Sequence, residues 1–374
     1  MSDPANSRSE AAEERISALL VAAARAAHRS GTGFTLAELV EPERYRLSEI
    51  ERVAIRRMFV GLVGGIEDEM RARLLTEPEL PDKPEFAASL GAAHVAIAWP
   101  ILARAGFLED DELANILERR GKSYHIIRQL RRTGVTDENG RLDVLTQHGD
   151  RDIAAHAMKL LIAESRINER FDDPRLGRSD LPETVDHRLV WTVAAALRDY
   201  GAHVHRMDGV ALDRVVTNVA RRMLEDRGDE PPVDAVAMRL AEKLYDAGLI
   251  DDPLLVEALN GARPIFYAAM LAVRAGISFE IAWDMATMPD VPSHMVLLKS
   301  IGVERDVASQ SLMAMLHAVL AENGKADEVA AEWVELYDTL RPEDTEAAMR
   351  PWRLDPVYRS VVAQLAAADS GALR

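Results

Sequence analysis

The chain repeats itself. Displaced by 142 residues, the segment from Leu102 to Glu138 overlays the segment from Leu244 to Glu280 without a gap. The shared positions are the ones that punctuate helices. Ala105-Gly106-Phe107-Leu108-Glu109-Asp110 stands against Ala247-Gly248-Leu249-Ile250-Asp251-Asp252, and Leu113 and Leu117 stand against Leu255 and Leu259. Arg132-Thr133-Gly134-Val135-Thr136 stands against Arg274-Ala275-Gly276-Ile277-Ser278. Gly106 and Gly248 suit the left-handed position just past a helix, with Phe107 or Leu249 packing back on the last turn. Asp110 and Asp252 fall where an N-cap belongs, and Pro253 takes the first helical position. Gly134 and Gly276 repeat the stop; Thr136 and Ser278 repeat the cap. Each copy is therefore expected to run helix, tight turn, helix, tight turn, helix.

The likeness extends in both directions. Leu47-Ser48-Glu49 is similar to Leu181-Pro182-Glu183, and Met158-Lys159-Leu160-Leu161 to Met295-Val296-Leu297-Leu298. A block of about 120 residues thus occurs twice, which is the signature of a repeat architecture. A unit that cannot bury its apolar face alone must stack on its neighbour, so the expectation is an α-solenoid-like array of antiparallel helices. Its parts are a tail and capping helix over 1–45, a first block over 46–175, a second over 180–320 and a helical cap over 321–374.

Apolar spacing supports an all-α fold. Ile16, Leu19, Leu20, Ala23, Ala26 and Ala27 lie on one helical face, and Gly31 to Gly33 stop that helix. Ser48 and Glu51 fit a capping box for the next, whose face is Ile55, Phe59, Leu62, Val63 and Ile66. Gly61, Gly64 and Gly65 either weaken that helix or admit a close neighbour. No sustained period-two alternation suggests a strand. With no cysteine, disulfides, thiolate nucleophiles and cysteine zinc sites are excluded. Met1 to Glu14 lacks the order of a secretory signal, and the longest apolar run, Ala92 to Ala103, is too short to span a bilayer. A cytoplasmic protein with no membrane partner is expected.

Two stretches also carry a family resemblance. Leu181-Pro182-Glu183 through His187-Arg188-Leu189-Val190-Trp191-Thr192-Val193-Ala194-Ala195-Ala196-Leu197-Arg198 resembles the bacterial domain of unknown function 2336. So does Gly106-Phe107-Leu108-Glu109-Asp110-Asp111-Glu112-Leu113 followed by Arg132-Thr133-Gly134-Val135-Thr136. The resemblance covers roughly 45 to 320 and departs from the family's pattern near Pro292 to Gly302. It implies a HEAT-like helical repeat protein of the kind typical of alphaproteobacteria. Its motifs are structural and imply no activity.

Chemistry is harder to find. Gly121-Lys122-Ser123 lacks the upstream glycine and strand of a phosphate loop, with Ile116 in the glycine's place. His148, Asp152 and His156 have the spacing of one helical face and could hold a metal, but Gly149-Asp150 reads as a helix start that leaves His148 outside. His203 and His205 diverge on a helix. Trp191 and Trp283 sit in apolar patterns and read as core; Trp352 is placed to clamp the tail. No catalytic set and no cofactor are expected.

The one anomaly is electrostatic. Net charge is −17, yet Arg119, Arg120, Lys122, Arg128, Arg131 and Arg132 fall within 14 residues that hold no acid. The second copy keeps only Arg263 and Arg274 there, so the repeat does not require the charge. Docking of an acidic peptide, a phosphate group or nucleic acid is one reading. A solvated face answered by acids such as Glu109, Asp110 and Asp111 is the other. The leading functional expectation is a non-enzymatic interaction or scaffold protein with a protein partner. A nucleic-acid-binding repeat protein and an enzyme with a scattered site are the alternatives. Oligomeric state is not readable.

Overall fold

The computed structural model describes residues 16–18, 20–21, 49–92, 95–105, 110–133, 141–168, 174–228, 230–287, 292–320, 326–355, 357–359, 361–362 and 365. Among them every regular element is helical. In chain order these are α1 (Glu49–Leu75), α2 (Pro84–Gly91), α3 (Ala98–Ala105), α4 (Asp111–Thr133), α5 (Arg141–Leu145), α6 (Arg151–Asn168), α7 (Glu183–His203) and α8 (Gly209–Glu225). Then follow α9 (Val233–Asp246), α10 (Asp252–Asn260), α11 (Pro264–Ala275), α12 (Phe279–Thr287), α13 (Ser293–Ser300), α14 (Arg305–Val319), α15 (Ala326–Tyr337) and α16 (Pro342–Met349). Short 3₁₀ turns occupy Arg178–Asp180 and Arg350–Arg353.

The chain forms two compact units. An inner unit comprises 33–122 and 165–232; a terminal unit comprises 1–32, 123–164 and 233–374. The boundary between them falls inside α4.

The core of the inner unit is built on α1. Ile55, Met58, Phe59, Leu62, Val63, Ile66, Met70 and Leu74 recur at intervals of three and four and are all buried. That stripe packs against α2, α3, α7 and α8. The expected face is thus present, while Ser48 of the expected capping box lies outside the described residues. A buried Glu67 on α1 caps α3 from a distance. Its two oxygens each accept a backbone N–H, from Ile97 and Ala98, at 2.8 Å. Arg71 neutralises it at 3.2 Å and donates to the Ser89 and Val95 carbonyls. Buried charges are tolerated when paired and hydrogen-bonded in this way.

The close-approach glycine is not in α1. A Cβ added at Gly61, Gly64 or Gly65 would meet nothing within 4 Å. A Cβ added at Gly121 would lie 2.6 Å from Ile55 Cγ1, so α4 crosses α1 at that glycine.

In the terminal unit α11 is buried on nearly every side, including Phe266, Tyr267, Met270 and Leu271. It packs on α9, α10 and α12. Among the described residues no single helix is long and apolar enough to cross a membrane. The pair α11 and α12 passes that test only jointly, and it is bent by 115°. A helix apolar all round is what a core helix looks like.

Helix ends follow the punctuation read from the repeat, with two corrections. Gly248 and Gly276 are left-handed, at φ +68° and +64°. Leu249 N–H donates back to the Leu244 carbonyl and Ile277 N–H to the Ala272 carbonyl, each a six-to-one closure. Gly302 repeats the pattern, with Val303 N–H on the Leu298 carbonyl. Gly106, Gly134 and Thr136 lie outside the described residues.

The first correction concerns the cap. Asp110 does cap α4, accepting from Leu113 N–H at 3.0 Å, but the cap of α10 is Asp251, which accepts from Leu254 N–H at 3.0 Å. Asp252 is instead the first helical residue. It receives Arg274 at 2.7 Å and Glu304 N–H at 2.8 Å. The second correction concerns the middle turn. The second copy breaks between α10 and α11, but the first copy runs as one helix through α4. Pro264, which stands where the first copy has Lys122, brings no N–H and cannot continue a helix from Asn260. Ala262 absorbs the turn at φ +53°.

Candidate functional site

Helix α4 carries all six cations singled out from sequence, and each fares differently. Gly121 and Lys122 lie mid-helix, so no phosphate loop is formed. On the inner-unit part of α4, Arg120 pairs with Asp180 at 3.1 Å and is largely buried. Lys122 pairs with Glu118, one turn earlier, at 2.6 Å. Arg119 is half-buried and engaged as well.

The terminal-unit part of α4 begins at Ser123, with His125, Ile126, Ile127 and Leu130 buried. Arg131 faces a charged cluster there. Burial lowers its pKa first; the Glu164 carboxylate opposes this and the Arg263 guanidinium adds to it. Glu164, on α6, is buried and hydrogen-bonded to Arg263 Nη1. Burial raises its pKa to about 6, against the pull of Arg263 and Arg131 and with a push from Asp143. Arg263 Nη2 also lies 3.8 Å from Asp143 on α5.

Arg128 and Arg132 remain. They are one helical turn apart, half-buried and exposed respectively, and neither has an ion pair among the described residues. Among the described residues the acids that answer the basic stretch are therefore Glu118, Asp180 and Glu164, while Asp110 does not. Asp110 is held by Arg188 at 2.8 and 3.1 Å. Glu109 and the Asp111 side chain lie outside the described residues.

Glu164 was missed by sequence reasoning, although a signal existed. Ile153, Ala157, Leu160 and Glu164 continue one helical row, and the first three are core. An acid in that row must find a cation or stay protonated.

The other candidates resolve locally. His148 Nδ1 accepts from Asp150 N–H ahead of α6, and Asp150 caps Asp152 N–H at 2.8 Å. His156 meets the Asp152 carbonyl at 2.7 Å. Among the described residues no group of three or more side chains could hold a metal ion. His203 turns to Asp199 at 2.7 Å, while His205 packs edge-on against Phe86 and Tyr200. Trp283 is core and stacks on Phe279; Trp191 is only half-buried and its indole N–H reaches His187 at 3.1 Å.

Two further features were not visible in the sequence. Tyr267 and His294 share a 2.7 Å hydrogen bond within the core of the terminal unit. Burial pushes His294 down to about 3, so its ring is neutral, and pushes the Tyr267 hydroxyl up. In the inner unit an open cleft of about 410 Å³ is floored by Gly61 and Gly65 and walled by Arg178, Ser179 and Arg227. Its arginines are committed. Arg178 holds Asp186 at 2.8 and 3.0 Å and Glu69 at 2.9 Å, and Arg227 donates to the Leu181 carbonyl.

No curated protein and no solved structure matches the chain. One family model does, that of an uncharacterised protein conserved in bacteria, over residues 97–350. The match starts later and ends later than the resemblance read from residues 45 to 320, and it includes Pro292 to Gly302. With more than half of its length matched, the chain belongs to the bacterial family called domain of unknown function 2336.

Proposed function

We propose that this protein is a non-enzymatic interaction module that receives an acidic protein segment on the C-terminal half of α4. The observation that carries the reading is that Arg128 and Arg132 have no ion pair among the described residues, in a chain of net charge −17. On the same helix Arg120 and Lys122 are matched to acids at 3.1 and 2.6 Å, so the fold neutralises cations where it has no use for them. Two guanidinium groups one turn apart suit two carboxylates at helical or extended spacing. Two such cations on one helix are few for tracking a nucleic acid backbone, whose binding scales with the number of phosphates neutralised. The Tyr267–His294 pair offers no alternative catalytic centre, because both side chains are buried.

The repeat belongs to the same reading. A HEAT-like helical array presents long surfaces for partners. Support comes from the aspartate caps of α4 and α10, Asp110 on Leu113 N–H and Asp251 on Leu254 N–H, which lie one residue out of the repeat's register.

A fluorescent polyglutamate peptide and a single-stranded oligonucleotide, titrated against the full chain at low salt, test the proposal. The peptide is expected to bind, to weaken steeply with salt, and to lose about tenfold or more in affinity with Arg128→Glu plus Arg132→Glu. Equal binding by the double variant, or binding of the oligonucleotide alone, would overturn it.

A further inference from the structure

The cleft of the inner unit has a cation left over in its wall. Three arginines and three acids meet around it, and two of the arginines satisfy all three acids. Arg178 holds Asp186 with Nε and Nη2, at 2.8 and 3.0 Å, and Glu69 with Nη1, at 2.9 Å. Arg73 takes the other oxygen of Glu69 at 2.8 Å and reaches Asp226 at 2.6 Å. Arg227 is committed at one end only. Its Nη2 donates to the neutral Leu181 carbonyl, and its Nε lies 3.8 Å from Asp186. Among the described residues its Nη1 has no hydrogen-bond partner, and neither has the Ser179 hydroxyl. The Arg227 side chain is only 17% exposed, so it has given up most of its water without gaining a carboxylate at hydrogen-bond distance.

Much of the remaining lining is apolar or bare. Leu62, Ile66 and Leu176 are buried, and Gly61 and Gly65 leave the backbone of α1 uncovered. A Cβ at either glycine would meet nothing within 4 Å, so the described chain does not use the room they leave. Glycine inside a helix weakens it, and here the weakening brings no closer packing. The cleft holds about 410 Å³, within the range of small-molecule sites.

We infer that this cleft binds a small organic acid, with its carboxylate on Arg227 and Ser179 and its apolar body along the glycine floor. A guanidinium nitrogen and a hydroxyl are donors suited to one carboxylate. A single negative charge fits the wall, whereas a phosphate dianion would meet Glu69 and Asp226 with twice the repulsion. A glutamate of a partner protein carries the same carboxylate, but its stem brings only a short apolar segment to Leu62, Ile66 and Leu176. This site uses none of the residues of the α4 face.

Binding of 3-phenylpropionate and of octanoate to the full chain, followed by saturation-transfer NMR, tests the inference, with 3-phenylpropionamide as the uncharged control. Both acids are expected to bind with a Kd of about 1 mM, as ligands of about ten non-hydrogen atoms do. The amide is expected to bind about tenfold more weakly, having lost the charge on its hydrogen bonds. Gly65→Leu places a side chain where the structure has room for its Cβ. It is expected to abolish binding while keeping or raising the melting temperature, since leucine is the better helix former. Arg227→Gln is expected to weaken the acids about tenfold and to leave the amide unchanged. No binding of either acid up to about 10 mM, equal binding of acid and amide, or full binding by Gly65→Leu would overturn the inference. So would displacement of the acids by the polyglutamate peptide, which would assign the cleft to a protein segment.

Discussion

At the scale of single residues, the second copy holds two side chains in a backbone conformation that favours glycine, Arg206 and Ala262, both at φ +53°. Ala262 sits at φ +53° where the neighbouring turns use Gly248, Gly276 and Gly302. A Cβ in the left-handed region costs about 1–2 kcal/mol, of which glycine's greater unfolded freedom returns about 0.5–1. Ala262→Gly is therefore expected to raise stability by up to about 1 kcal/mol in urea melts, and Gly276→Ala to lower it by about 1. A lower midpoint for Ala262→Gly would count against the strain. His294 sets a pH dependence. Its folded pKa of about 3 is below the ordinary 6.5, so the unfolded chain takes up a proton that the folded one refuses. Its contribution is complete above about pH 6.5 and drains away as pH falls towards 3. Glu164 works in the opposite sense, contributing below about 4.5 and losing that contribution as pH rises through 6. The difference between wild type and His294→Gln isolates the histidine. Between pH 7 and pH 5 the variant should lose about 2 kcal/mol less than wild type. Equal losses would mean that His294 is not buried as a neutral ring.

At the scale of the element, α4 shows why aligned sequence does not ensure aligned structure. The two copies share their end signals, but one proline divides α10 from α11 while α4 runs on. Gly121 then serves as a contact point against Ile55 rather than a turn. Gly121→Ala gains about 1 kcal/mol in helix propensity but forces the buried Ile55 side chain to move, so a net loss of about 1–2 kcal/mol is expected. The loss should shrink in an Ile55→Ala background, a coupling that a double-mutant cycle measures. Additive effects would remove the close approach from the explanation. The helices and their apolar faces were legible from spacing alone, as α1 illustrates. The partners of α4 were not. Asp180 and Glu164 lie 60 and 33 positions from Arg120 and Arg131, and no local pattern links them.

At the scale of the whole molecule, the compact units interleave along the chain. Residues 123–164 belong with 233–374, and 165–232 with 33–122. A cut at the sequence boundary between the repeats therefore severs both units. Chains 1–178 and 179–374, made separately, are each expected to lack the cooperative melt of the intact protein, because each has lost part of a core. Two sharp melts from the separated halves would show that the repeat blocks fold on their own.

The sequence by itself determined the all-helical class, the apolar faces, the glycine stops at Gly248 and Gly276, and the family. These follow from period, caps and backbone freedom, which act over a few neighbouring residues. Only the tertiary structure decided which cations are answered, which aspartate caps α10, and that Val357, Tyr358 and Val361 face water. Burial and charge pairing depend on segments that are distant in sequence, and the same Val or Arg is core, partner or surface according to what packs beside it.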